Sequence, residues 1–97
     1  SNGSSIAYAN SKAAMVSQTR CLARALAPDI RVNAVAPGLT RTAWTDPLSD
    51  HRKSTAMANS LLPRMVEPDD IASAMLFLCV SGAITAQTIL VDGGRLA

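Results

Sequence analysis

Two short apolar runs, with a helix-forming stretch between them, constrain the fold of this chain more than any other feature. Residues 30–36 (IRVNAVA) and 88–91 (TILV) are almost continuously aliphatic, which is typical of strands buried on both faces of a parallel sheet. Residues 69–80 predict a helix between them, because Asp69 and Asp70 lie where the helix dipole favours negative charge. Together the three segments predict one right-handed βαβ crossover.

A second helix is predicted before the first strand. Residues 7–27 contain no Pro or Gly and are rich in good helix formers, and Pro28 ends the helix. At about 100° per residue, one apolar stripe of this helix is formed by Tyr8, Met15, Leu22 and Leu26. Two parallel strands alone make a poor sheet. The order helix, strand, mixed segment, helix, strand therefore predicts the end of a larger α/β domain.

Composition and charge exclude several classes of protein. The chain has 97 residues, 48% of them hydrophobic and 16% charged, so we expect at most one globular domain rather than a disordered segment. The nine Lys and Arg residues, set against seven Asp and Glu, are scattered, which does not favour a nucleic-acid surface. His51 has no second His and no Cys at metal-ligand spacing, so no metal site is expected.

The two cysteines and the longest uncharged run indicate in which cellular compartment the protein is expected. Cys21 and Cys79 lie in apolar helical patterns and are predicted to be buried free thiols, which suggests a reducing, cytoplasmic compartment. Residues 71–91 are uncharged and long enough to span a bilayer, but Ser, Thr, Gly and Gln interrupt them. A buried helix, a turn and a strand explain this run better, so no membrane segment is predicted. No signal peptide is visible either.

Tyr8 and Lys12 are the first candidates for chemistry. Their four-residue spacing at the start of a helix places both side chains on one face, one turn apart. An ammonium close to a phenol favours the phenolate and lowers the pKa of the phenol from its reference of about 10. Such a phenol can give a proton to, or take one from, an alcohol or a carbonyl near neutral pH. On spacing alone, an ordinary surface pair is the better interpretation.

Three longer motifs change that interpretation. The stretches YANSKAAMVSQTRCLARALA, IRVNAVAPGLTRTAW and ITAQTILVDGG resemble the short-chain dehydrogenase/reductase family in order and separation, over almost the whole chain. The resemblance implies the C-terminal part of a Rossmann-like doubly wound parallel sheet. It also implies an oxidoreductase that transfers hydride between NAD or NADP and a small-molecule alcohol or ketone. This part of the chain does not distinguish the two cofactors.

The resemblance also implies roles for individual residues. Tyr8 matches the family's catalytic acid/base, and Lys12 matches the lysine that bonds the nicotinamide ribose and supports the tyrosine. Pro37 and Gly38 match a turn beside the nicotinamide at the carboxyl end of a strand, where ligands bind in open α/β sheets. The missing Cβ of Gly38 would let the backbone approach a flat ring, with an ordinary turn as the alternative.

Further contacts are implied after this turn. The backbone of Leu39 matches the position that bonds the carboxamide, and the Thr42 hydroxyl matches one that reaches the carboxamide or phosphate region. A helix N-cap is the alternative role for Thr42. Residues 39–66 match the lid-like segment that closes over the substrate. Its pocket candidates, for which ordinary packing is equally favoured, are Trp44, Met57, Leu61 and Met65.

Three other positions bear on structure rather than chemistry. Asn33 and the Asp92-Gly93-Gly94 turn match family positions that we interpret as structural. Ala86 departs from the family, in which Gly is usual before Gln87, and the departure puts a tight turn in doubt.

The family's catalytic serine and Gly-rich phosphate turn have no counterpart in these 97 residues. We therefore expect the isolated chain to be inactive. An alternative function is a non-catalytic interaction or assembly fragment, whose partner is a second copy or the missing N-terminal half. The edge of strand 30–36 and the uncovered apolar helix faces would invite such pairing.

Overall fold

The described residues form three helices and two strands. The computed structural model describes residues 6–38, 40–41 and 50–95. In chain order, the elements are α1 (Ile6–Leu26), β1 (Ala34–Pro37), α2 (Asp50–Ala58), α3 (Pro68–Val80) and β2 (Thr88–Val91).

The two strands form a parallel pair. The Ala34 N–H donates to the Gln87 carbonyl at 2.9 Å, and the Gly38 N–H donates to the Val91 carbonyl at 2.9 Å. Both partners advance by four residues in the same direction, which defines a parallel register. With α3 between the strands in sequence, the predicted α/β class and βαβ order are confirmed.

The chain divides into two compact units, which we describe separately. The first unit comprises residues 1–34 and 78–88, and the second comprises residues 35–77 and 89–97. None of the helices in the described residues is both long and apolar enough to cross a membrane.

In the first unit, α1 packs through small side chains. Thr19 and Ala23, one turn apart, are the buried residues of this helix. The apolar stripe through Met15 and Leu22 is not the packed face of the helix, because these side chains are 56% and 41% exposed. Helical periodicity predicts which face carries the apolar side chains. The buried residues of α1, however, are small and lie at one edge of that stripe. The helix ends before Pro28, as predicted.

The same geometry corrects the prediction for the two cysteines. Cys21 and Cys79 are both free, but both are exposed rather than buried. In α1 the buried face is that of Thr19 and Ala23, and in α3 the buried residue is the neighbouring Leu78. Each thiol therefore lies off the packed face of its helix.

The first predicted strand is shorter than expected, and residues 31–33 form a mixture of side-chain and backbone hydrogen bonds with residues 78–87. The Arg31 guanidinium donates to the carbonyls of Leu78 and Cys79, each at 2.8 Å, in the last turn of α3. A cation at this end of a helix satisfies orphan carbonyls and complements the helix dipole. The Val32 N–H donates to the Thr85 hydroxyl at 3.1 Å, and the Val32 carbonyl accepts from the Ala86 N–H at 2.8 Å. The strand itself begins at Ala34 rather than at residue 30.

Asn33 confirms its predicted structural role, although it precedes the strand. Its side-chain Nδ2 donates to the Ile84 carbonyl at 2.9 Å, and its Oδ1 accepts from the Gln87 N–H at 3.1 Å. Between these partners, Ala86 adopts a left-handed conformation with a φ of +64°. This is the tight turn at which the sequence lacks the usual glycine.

In the second unit, the two ends of the predicted lid-like segment are joined. Thr40 forms a parallel bridge with Val66, and the Arg41 N–H donates to the Val66 carbonyl at 2.8 Å. Arg41 Nε also lies 3.0 Å from Glu67 Oε1. Met65 and Val66 are buried at this junction. Within the segment, α2 spans Asp50–Ala58.

The turn after β2 has the structural role predicted for it. Gly93 and Gly94 adopt φ values of +66° and +73°, which favour glycine. Asp92 Oδ1 accepts from the Gly94 N–H at 3.0 Å. The turn also holds the lid-like segment, because Leu61 and Leu62 donate their N–H groups to the carbonyls of Gly94 and Gly93.

Candidate active site

The Tyr8–Lys12 pair lies on one face of α1, near its first residue. Lys12 Nζ lies 5.3 Å from the centroid of the Tyr8 ring, a distance at which an ammonium is attracted to the face of an aromatic ring. The phenol is 55% exposed, and Lys12 is exposed as well. The four-residue spacing thus produces the contact that the sequence predicts.

Local bonds hold this part of α1 in helical geometry. The Ser11 hydroxyl donates to the Tyr8 carbonyl at 2.7 Å, and further along the helix the Thr19 hydroxyl donates to the Met15 carbonyl at 2.9 Å. Because the backbone is regular from Ile6 onward, the side chains of Tyr8 and Lys12 are held one turn apart. An accessible phenol beside a cation can act as a general acid or base.

Pro37 and Gly38 lie together at the end of β1, in the second unit. Pro37 is exposed, and the Gly38 N–H is used by the sheet. A Cβ built on Gly38 would lie 2.8 Å from both Cα and Cβ of Asp92. The close approach of two strand ends therefore requires glycine here, a reason that the sequence did not reveal. The approach of Gly38 to a nicotinamide stays a prediction.

Three of the predicted residues lie outside the part of the chain that the structure describes. These residues are Leu39, Thr42 and Trp44.

Of the remaining pocket candidates, Met57 and Met65 come together and Leu61 does not join them. Met57 and Met65 line a pocket of about 500 Å³ between α2 and the stretch that precedes α3. Leu61 is 70% exposed and is absent from this lining. The pocket also carries charge, which sequence reasoning missed. Its other lining residues are Arg41, Asp50, Ser54, Pro63 and Arg64.

Arg64 is held beside the start of α3 by a two-point ion pair. Its Nη1 and Nη2 donate to the two carboxylate oxygens of Asp70 at 2.9 and 3.3 Å. The hydrogen bond from Arg64, followed by the one from the Glu67 N–H, lowers the pKa of Asp70 below its ordinary value. The same pair raises the pKa of Arg64. Asp70 also closes the helix start, because its Oδ2 accepts from the Glu67 N–H at 2.8 Å.

Among the described residues, no group of three or more His, Cys, Asp or Glu side chains could hold a metal ion.

Comparison with known proteins decides the family. A family model described as enoyl-(acyl carrier protein) reductase matches residues 1–95. The short-chain dehydrogenase/reductase homolog YusR of Bacillus subtilis is 42% identical over 93 residues, which cover 96% of this chain and 71% of that protein. The chain belongs to the short-chain dehydrogenase/reductase family.

Other members of the family are longer than this chain. The 3-oxoacyl-[acyl-carrier-protein] reductase FabG of Thermotoga maritima is 41% identical over 90 residues, which cover 90% of this chain and 37% of that protein. A Brucella melitensis short-chain dehydrogenase/reductase of known structure, also described as a glucose/ribitol dehydrogenase, superposes with a TM-score of 0.86 at 42% identity. That match covers 95% of this chain and 39% of the Brucella chain.

Two related structures contain nicotinamide cofactors. A small-chain dehydrogenase in complex with NADPH matches with a TM-score of 0.74 at 38% identity, over 84% of this chain and 39% of its own. A 4-hydroxyisoleucine dehydrogenase complexed with NADH matches with a TM-score of 0.79 at 31% identity, over 91% of this chain and 37% of its own. Relatives at similar distance from this chain thus use either cofactor.

Proposed function

We propose that this chain supplies the acid/base half of the active site of an NAD(P)-dependent oxidoreductase that interconverts an alcohol and a ketone. The observation that carries the proposal is the contact between Tyr8 and Lys12 on α1, in a chain that belongs to the short-chain dehydrogenase/reductase family. Bound NADH and NADPH in related structures support a nicotinamide cofactor.

In this proposal, Tyr8 handles the proton while NAD(P)H, when bound, supplies the hydride. During reduction, the Tyr8 hydroxyl donates its proton to the carbonyl oxygen of the substrate, and it takes a proton from the alcohol in the reverse direction. The Lys12 ammonium has three N–H donors. It lies over the Tyr8 ring, and its donors fit ribose hydroxyls.

The remaining cofactor contacts are proposed for Pro37, Gly38, Leu39 and Thr42. Pro37 and Gly38 end β1, and ligands of open α/β sheets bind beyond the carboxyl ends of strands. The backbone of Leu39 and the hydroxyl of Thr42 would hold the carboxamide end of the nicotinamide. Assays of the full-length protein with NADH and with NADPH would distinguish the two cofactors.

For the substrate, we propose a carbonyl compound rather than a carbon–carbon double bond. A phenol gives its proton most readily to an oxygen, and the Thermotoga relative carries the name of a 3-oxoacyl reductase. The matching family model is described as an enoyl reductase, so the two chemistries need a direct comparison. The full-length protein, assayed with NADH and with NADPH, should reduce a 3-oxoacyl thioester or a simple ketone faster than a trans-2-enoyl thioester. Faster reduction of the enoyl thioester would contradict the assignment.

A second proposed function, as an interaction or assembly fragment, rests on exposed apolar side chains. Ile6, Val80 and Leu90 are among the large hydrophobic residues that are at least two-thirds exposed, and such surface invites association. We propose that a second copy or an N-terminal half of the domain covers it. Sedimentation at micromolar concentration tests this function: a stable, monodisperse monomer would contradict it.

A further inference from the structure

The 500 Å³ pocket beside α2 combines charge with apolar surface, and its two methionines, Met57 and Met65, are pocket candidates of the lid-like segment. All of its lining residues belong to the second unit. Its volume falls within the range of about 300–1,000 Å³ that holds small molecules. Among its described lining residues are two arginines and one aspartate.

Arg41 is the cation best placed to bind a ligand in this pocket. Its Nε lies 3.0 Å from Glu67 Oε1. Within residues 6–38, 40–41 and 50–95, no acceptor is found for its two Nη groups. The two Nη groups of Arg64, by contrast, already donate to Asp70 and to the Met65 carbonyl. A guanidinium with both Nη groups available matches a carboxylate or a phosphate at two points.

The other side of the pocket is apolar. Met57 is half-buried and Met65 is buried, and Pro63 completes this part of the lining. The methionine side chain is unbranched and polarizable, so it can adapt its conformation to a flexible aliphatic chain. Asp50, in the first turn of α2, supplies a carboxylate to the described lining and would disfavour a second negative charge nearby.

From this arrangement we propose that the pocket binds an amphipathic anion, a carboxylate or phosphate group at the end of an aliphatic chain. Arg41 holds the anion, and the two methionines contact the chain. The site does not depend on the hydride-transfer proposal, because its test is binding in the absence of nucleotide.

Methionine NMR tests this proposal inside the pocket. In the full-length protein labelled with [¹³C-methyl]methionine, the signals of Met57 and Met65 are assigned by Met→Leu variants. Octanoate and octyl phosphate should shift these two signals, and the signals of Met15 on α1 and Met75 on α3 should not move. Octanol is the neutral probe of equal chain length and should bind at least about tenfold more weakly, the change expected when a charge-assisted hydrogen bond is lost. Comparison of octanoate with octyl phosphate identifies which anion the site prefers.

Two variants separate ligand binding from a structural role of the Arg41–Glu67 ion pair. Arg41→Gln should weaken octanoate binding about tenfold, whereas Glu67→Gln, which breaks the same ion pair but keeps the cation, should bind octanoate at least as tightly as the wild type. Arg20→Gln, on the exposed surface of α1, is the control and should bind like the wild type. The proposal is overturned if octanol binds as tightly as octanoate, if none of the probes shifts Met57 and Met65, or if Arg41→Gln and Glu67→Gln weaken binding equally.

Discussion

Gly38 and Asp92 approach so closely that the space between them excludes even a methyl group. A Cβ on Gly38 would lie 2.8 Å from Asp92 Cα, and backbone atoms of a paired strand cannot move aside as the end of a flexible side chain can. The two residues come from the carboxyl ends of β1 and β2. Close packing against Asp92 thus requires glycine at position 38, in addition to any role that Gly38 has beside a cofactor.

We predict that Gly38→Ala destabilises the fold by about 1–3 kcal/mol, the usual cost of overpacking a close contact. Gly82→Ala is the matched control, because a Cβ on Gly82 would meet nothing within 4 Å. Urea unfolding of both variants and the wild type measures the difference. If Gly38→Ala and Gly82→Ala were equally stable, the close contact with Asp92 would have no energetic consequence and the packing explanation would fail.

A substitution at Ala86 is predicted to stabilise the fold, whereas Gly38→Ala is predicted to destabilise it. Its φ of +64° is a left-handed conformation, which costs a residue with a Cβ roughly 1–2 kcal/mol and costs glycine little. Ala86→Gly should therefore stabilise the fold by up to about 1 kcal/mol. The control, Ala25→Gly on the exposed surface of α1, should instead destabilise it by about 1 kcal/mol. A decrease in the urea midpoint for Ala86→Gly would contradict the positive φ.

The ion pair between Arg64 and Asp70 should make stability depend on pH. The pKa of Asp70 is lowered in the folded state, so the stabilisation is present above the unfolded-state pKa and is lost as pH falls through the folded-state value. Asp70→Asn keeps an oxygen for the Glu67 N–H but removes the charge. The variant should be less stable than the wild type at pH 7, and the difference should shrink below about pH 4.

Asp69→Asn is the control for this titration, because Asp69 lies in the same first turn of α3 and is exposed. Its difference from the wild type should change less between pH 7 and pH 3. Thermal unfolding at several pH values measures both variants. A difference for Asp70→Asn that stays constant across this range would show that the pair contributes nothing through its charge.

Local signals along the chain were sufficient to predict the order of the elements and the Tyr8–Lys12 pair. A helix without Pro or Gly, two aliphatic runs and a four-residue spacing each act within a few residues. Apolar periodicity was less informative about the packed face of α1, because the buried contact uses Thr19 and Ala23 rather than the largest side chains.

Contacts between distant segments were not predictable. Arg31, near the start of the predicted strand, donates to carbonyls 47 and 48 residues further along the chain. The proximity of Gly38 to Asp92 likewise depends on strand register. The spacing of residues within one segment does not predict how two strands align. The pocket charges were missed for the same reason, because Arg41 and Arg64 meet only when the ends of the lid-like segment are joined.

We predict that the isolated 97-residue chain has no measurable dehydrogenase activity. Holding a dinucleotide costs about 4–15 kcal/mol in lost freedom, and the described residues offer few groups to offset it. Correct positioning of the reactants is itself worth roughly 7–11 kcal/mol. Incubation of the purified chain with NADH or NADPH and a panel of ketones measures this. Turnover that disappears in Tyr8→Phe would contradict the prediction.

The central claim, that Tyr8 is the proton-transfer group, is tested most directly by turnover of Tyr8→Phe in the full-length protein with saturating cofactor and ketone. Phenylalanine keeps the ring that Lys12 contacts at 5.3 Å, so the variant removes only the hydroxyl. Ser11→Ala is the control, because the Ser11 hydroxyl bonds only the Tyr8 carbonyl in the described structure. We predict that kcat falls about 10²- to 10⁴-fold in Tyr8→Phe and changes less than about threefold in Ser11→Ala. A kcat of Tyr8→Phe equal to that of the wild type would contradict the assignment.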